Sequence, residues 1–100
     1  MTIELRNFEV QTSNNVNVYT FSKEEISIFI KITRESISTL KFIIEAYDNL
    51  AIIRTIDKYA ATVEIISLLS NKEELLSLLI SLQNEIGFNF ISIPEPYQFL

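Results

Sequence analysis

Ile26-Ser27-Ile28-Phe29-Ile30-Lys31-Ile32 places an isoleucine at every second position, the period-two pattern of a β-strand rich in β-branched side chains. Thr33 follows with a hydroxyl suited to cap a helix beginning at Arg34, and Ile37, Leu40, Ile44 and Tyr47 recur at helical spacing, so one stripe of that helix is expected to face a sheet. Asp48-Asn49 should stop it, because short polar side chains compete for backbone hydrogen bonds and asparagine tolerates the left-handed conformation. Leu50 to Ile56 and Ala61 to Leu68 read as two further strands. The link Asp57-Lys58-Tyr59-Ala60 is short enough to make them an antiparallel hairpin.

Ser70 and Glu73 have the spacing of a capping box in front of Leu75, Leu78, Leu79, Leu82 and Ile86, and Gly87 stands where a helix end favours glycine. Phe88 to Ile93 supplies a last strand, closed by Pro94 and Pro96, which cannot donate a ladder hydrogen bond. The order from Ile26 to Ile93 is therefore βαββαβ. That order predicts an α+β, ferredoxin-like fold with two helices on one face of a four-stranded antiparallel sheet. Upstream, Ile3 to Val10 and Val16 to Phe21 are strand-like, with a turn at Ser13-Asn14-Asn15. They are expected as an added hairpin or an edge extension. The reading is one domain over 1–100, comprising an N-terminal extension at 1–25, the core at 26–93 and a tail at 94–100.

A chain of 100 residues buries on the order of 65% of its unfolded surface, enough for one modest core. Eight basic and thirteen acidic side chains give a net charge of −5, which repels phosphate backbones and anionic membranes. Nucleic acid and membrane are not expected partners. No apolar stretch matches a secretory signal or a membrane helix, so a cytoplasmic location is expected. The chain has no cysteine and no histidine, which removes thiolate catalysis, zinc-cysteine sites, iron–sulfur clusters and any Ser-His or Cys-His dyad. Its single glycine cannot build a dinucleotide or phosphate loop. No metal or cofactor is expected, and no catalytic residue stands out.

Alternation carries the inference further. If the isoleucines of 26–32 face the helices, Phe29 faces the other side, and the later strands are likewise apolar on both faces. Ile52 and Ile56 oppose Ala51 and Ile53; Ile66 opposes Val63 and Ile65; Ile91 and Ile93 oppose Phe88 and Phe90. Each such side chain is worth roughly 1.5–3 kcal/mol when fully buried, so a second layer must cover that face. The N-terminal hairpin or the Tyr97-Gln98-Phe99-Leu100 tail could do so. The sharper expectation is a homodimer, with Phe29, Ile52, Ile66 and Ile91 at its interface.

Among the polar residues, Arg54 is the most informative because it interrupts an apolar strand. A structural partner is expected in Glu64 across the hairpin or Asp57 at the turn. The functional alternative is a fork grip on a carboxylate or phosphate, and Arg34, beside free helix N–H groups, could hold an anion in the same way. Asp48 and Asn49, with Asp57, are conceivable cation ligands, although their spacing matches no calcium loop. The adjacent pairs Glu24-Glu25 and Glu73-Glu74 read as solvated surface.

The stretch Ile44-Glu45-Ala46-Tyr47-Asp48-Asn49-Leu50-Ala51-Ile52-Ile53-Arg54-Thr55-Ile56-Asp57, with the leucine-rich helix ending Gln83-Asn84-Glu85-Ile86, resembles a small bacterial family catalogued as a domain of unknown function. The resemblance covers roughly Ile26 to Ile91 and implies a bacterial, cytoplasmic origin without an activity. In element order the chain also resembles amino-acid-binding regulatory ACT domains. Those usually carry a glycine-containing loop where this chain has Thr33-Arg34-Glu35-Ser36. The expected function is thus a non-enzymatic module that self-associates through its sheet and can take a protein partner. The alternative is an ACT-like sensor of an amino acid or other small anion, using Arg34, Arg54, Asp48 and Asn49. RNA binding through Phe29, Phe88 and Phe90 is opposed by the acidic balance.

Overall fold

The computed structural model describes residues 8–22, 24–57 and 59–94. It is an α+β structure with six strands in one antiparallel sheet and two helices. The strands are β1 (Glu9–Ser13), β2 (Val16–Thr20), β3 (Glu25–Lys31), β4 (Ala51–Asp57), β5 (Thr62–Leu68) and β6 (Asn89–Ile91), and the helices are α1 (Arg34–Glu45) and α2 (Lys72–Ile86). Neighbours run in the order β1-β2-β3-β5-β4, with β6 also paired to β3. β5 occupies one edge of β3 from Glu25 to Lys31. The other edge is divided: β2 takes Ile26 and Ser27, and β6 takes Phe29 to Lys31.

The isoleucine alternation has the consequence expected of it. Ile26, Ile28, Ile30 and Ile32 are buried in a cluster with Val63 and Ile65 of β5, Leu40 and Ile44 of α1, and Leu75, Leu76, Leu79 and Leu82 of α2. The N-terminal hairpin extends this core sideways through Val16 and Val18. Its two-residue turn, Asn14-Asn15, has φ of 54° and 65°, the left-handed pair that matches the twist of a tight hairpin. The upstream part of the expected first strand, Ile3 to Asn7, lies outside the described residues, as do Pro96 and the tail residues Tyr97 to Leu100.

α1 ends at Glu45, earlier than Asp48-Asn49, with Ala46 as its C-cap in the right-handed region, and Asn49, with φ of 56°, belongs to the turn beyond it; Gly87 follows α2 with φ of 84°, in the left-handed region that terminates helices. Several local expectations are corrected. Ser70 and Glu73 make no capping box: a single 3-10 turn at Leu69–Asn71 comes first, and α2 starts from Asn71 with no side-chain cap. Glu73 instead stands in the first turn, where a carboxylate suits the helix dipole. Thr33 precedes α1, but its hydroxyl donates to Ser36 Oγ at 3.0 Å rather than capping a backbone N–H. Tyr47 lies beyond the helix and is exposed, while Ile43 joins the packing. The last strand covers only Asn89 to Ile91. In the link from β4 to β5, Asp57 Oδ1 accepts from the N–H of Tyr59 and of Ala60 at 2.9 and 3.1 Å.

Candidate functional site

The sheet face away from the helices is built in rows that the strand register fixes. One row runs Tyr19, Ser27, Ile66, Ile52 across β2, β3, β5 and β4. The next runs Ile91, Phe29, Glu64, Arg54 across β6, β3, β5 and β4. These rows divide the face into a covered half and a bare half, with a polar seam between them.

The covered half is aromatic. Tyr19, Phe29 and Ile93 are buried together, with Phe8, Phe21, Ile56 and Ile91 packed around them. Tyr19 meets Phe29 edge to face at 5.4 Å, and Phe8 meets Tyr19 at 5.3 Å, the offset geometry that aromatic quadrupoles favour. The Tyr19 hydroxyl accepts a hydrogen bond from the N–H of Ile93 at 2.9 Å, which ties the segment after β6 to β2. Phe29 has 0% exposure, so it has no surface to offer a partner. Ile91 is half-buried in the same cluster.

At the seam, Glu64 is buried with 1% exposure. Arg54 Nη2 donates to its Oε1 at 2.7 Å, and Ser27 Oγ donates to its Oε2 at 2.7 Å. The ion pair expected across the hairpin is present, and the carboxylate has a donor at each oxygen, as a buried charge requires. Ser27 was not foreseen as part of it, because the strand that flanks β5 on its other side cannot be read from local sequence. Ser27 is itself buried and its proton is committed to Glu64. The chemistry here is therefore that of a structural bridge.

The bare half lies at the β4 edge. Ile52 of β4 is 64% exposed and Leu68 of β5 48% exposed, with half-buried Ile66 of β5 directly opposite Ile52. Together with Glu25, Asn49, Leu50, Ala51 and Ser67 they line a cleft of about 520 Å³. Its floor is internally satisfied, since Ser67 Oγ donates to the Leu50 carbonyl at 2.6 Å. A second hollow of about 460 Å³ adjoins it at Glu24, Leu68, Leu69 and Ser70.

The residues singled out as ligand candidates are scattered. Arg34 begins α1 and is exposed, whereas Asp48 and Asn49 follow its far end, about 18 Å away at 1.5 Å of rise per residue. Arg54 lies midway along β4, and Asp57 closes that strand. Only Asn49 reaches the cleft. Among the described residues no three acidic side chains converge as a metal site would need, and no helix is long and apolar enough to cross a membrane.

Residues 30–86 match the model of the family described as Domain of unknown function (DUF4911). No curated protein and no solved structure matches the chain.

Proposed function

The chain belongs to the DUF4911 family, a domain of unknown function, and from that premise we propose that it is a non-enzymatic, cytoplasmic interaction module that self-associates through its sheet. The observation that carries this reading is the apolar surface at Ile52, Ile66 and Leu68, left open beside a fully packed aromatic cluster. The chain invests seven side chains in closing one half of the face and leaves large aliphatic groups in water on the other. Patches of that kind mark association sites. The core is read as ferredoxin-like, which the antiparallel order β4-β5-β3-β6 and the two helices over the Ile26 face support. A homodimer is the assembly proposed, two-fold pairs being the commonest closed symmetry.

Sedimentation equilibrium over a wide concentration range tests the proposal. A monomer–dimer equilibrium is the expected result, and a monomer throughout overturns it.

The cleft favours a second reading, an ACT-like small-molecule sensor. Its volume of about 520 Å³ falls within the general range of small-ligand pockets, and Asn49 stands at its wall. A thermal-shift panel of amino acids and small anions is the check: at saturating concentration a true ligand raises the melting temperature, and a panel without any shift rejects the sensor.

A further inference from the structure

The cleft of about 520 Å³ has an aliphatic floor and a single sign of charge at its rim. Ile52, Ile66 and Leu68 supply the floor, and Glu25 is the one charged side chain among the described residues that line it. The register sets Glu25 directly opposite Leu68, and alternation along the strands puts both on the face that carries Ile66 and Ile52. The Glu25 carboxylate has no hydrogen bond or ion pair among the described residues. Other polar groups of the cleft are already engaged: Ser67 Oγ donates to the Leu50 carbonyl, and the Asn49 carbonyl accepts from Asn71 Nδ2 at 3.2 Å. Arg54, farther along β4, is held by Glu64.

The adjoining hollow repeats the pattern. Glu24 stands there with Leu68 and Leu69, again with no cation among the described lining residues. At the opposite end of β3 the sign reverses, in a hollow of about 390 Å³ lined by Lys31 and by no described acid. Charge therefore distinguishes the hollows.

We propose that the cleft takes an aliphatic ammonium ion, its hydrocarbon part on Ile52, Ile66 and Leu68 and its charged head at Glu25; this names the ligand class for the small-molecule reading above and rests on it. An anion entering here would meet a carboxylate of its own sign, in a chain whose net charge is −5. A free amino acid would bring such a carboxylate beside its ammonium group. A neutral hydrocarbon would strip water from Glu25 and give nothing in return, which is costly for a charge. An amine without a carboxylate covers the apolar floor and supplies a charge-assisted hydrogen bond to the rim.

The test uses n-hexylammonium, hexanol and hexanoate, matched in chain length and different in head group. Each is titrated against the full chain while the methyl resonances of Ile52, Ile66 and Leu68 are followed. Hexylammonium is expected to shift them saturably, and hexanoate to bind about tenfold more weakly, because an attraction on the scale of an exposed ion pair becomes a repulsion. Glu25→Gln, at an exposed position, is expected to weaken hexylammonium about fivefold, to the level of hexanol. Glu9→Gln, on the distant strand β1, should change nothing. Added salt should weaken hexylammonium and leave hexanol unaffected. Hexanoate or hexanol binding as tightly as hexylammonium, or hexylammonium binding that ignores Glu25→Gln, overturns the ammonium assignment and leaves a small-molecule cleft standing. Three probes that shift none of these methyl groups overturn the assignment and the sensor reading of this cleft together.

Discussion

Glu64 is a carboxylate placed where aliphatic side chains would be expected, and its two oxygens are held by Arg54 and Ser27. Removing one partner of a buried pair costs about 3–5 kcal/mol, but the Arg54 side chain is 52% exposed, and water screens part of that interaction. Arg54→Met is therefore expected to lower unfolding free energy by about 1–3 kcal/mol. Glu64→Leu combined with Arg54→Met should recover much of the loss, because the orphaned charge goes with it. Urea unfolding of the two single variants and the double variant gives the coupling directly. Strict additivity would mean that the pair does not stabilise the sheet. The half of this bridge within the β4–β5 hairpin was legible in the sequence, since the short link fixes which residues face each other. Ser27 comes from β3, and its place beside Ile66 depends on strand order, which no local pattern encodes.

At the scale of elements, Tyr19 joins β2 to the segment after β6 through one hydrogen bond to the N–H of Ile93. Tyr19→Phe keeps the ring packing against Phe29 and Phe8 but leaves that buried N–H without its acceptor, which costs about 1–3 kcal/mol. A lowered melting temperature with an unchanged far-ultraviolet spectrum is the expected result; an unchanged melting temperature would show that the bond contributes nothing. The strands of the β4–β5 hairpin, the end of α2 at Gly87, and the two-sided apolar pattern could be read from the chain because each has a local cause. The start of α2 could not, because Ser70 and Glu73 satisfy the capping spacing while a 3-10 turn consumes the first of them. Nor could the length of β6. Phe88 to Ile93 is apolar at four of its six positions, yet β2 already occupies the edge of β3 at Ile26 and Ser27, and β6 pairs only with Phe29 to Lys31.

For the whole molecule, the two-sided sheet resolves into two clusters of unequal size, one under the helices and one closed by aromatic residues from β2, β3 and the flanking segments. The sequence required a second layer without saying what forms it. Part of the answer is the chain itself, and the remainder is the surface proposed for self-association. The divided edge of β3 has its own dynamic consequence. β2 arrives through a short connection, whereas β6 follows β3 by more than half the chain, so its docking carries the larger loop-closure cost. Partial openings that release β6 should leave β2 attached. Deuterium uptake followed residue by residue would then separate one strand into two populations: amides at Phe29 to Lys31 that face this edge exchange through the cheaper opening, and those at Ile26 and Ser27 wait for a costlier one. Equal uptake along the strand would mean that both neighbours leave together, and that its two ends live and die as one unit.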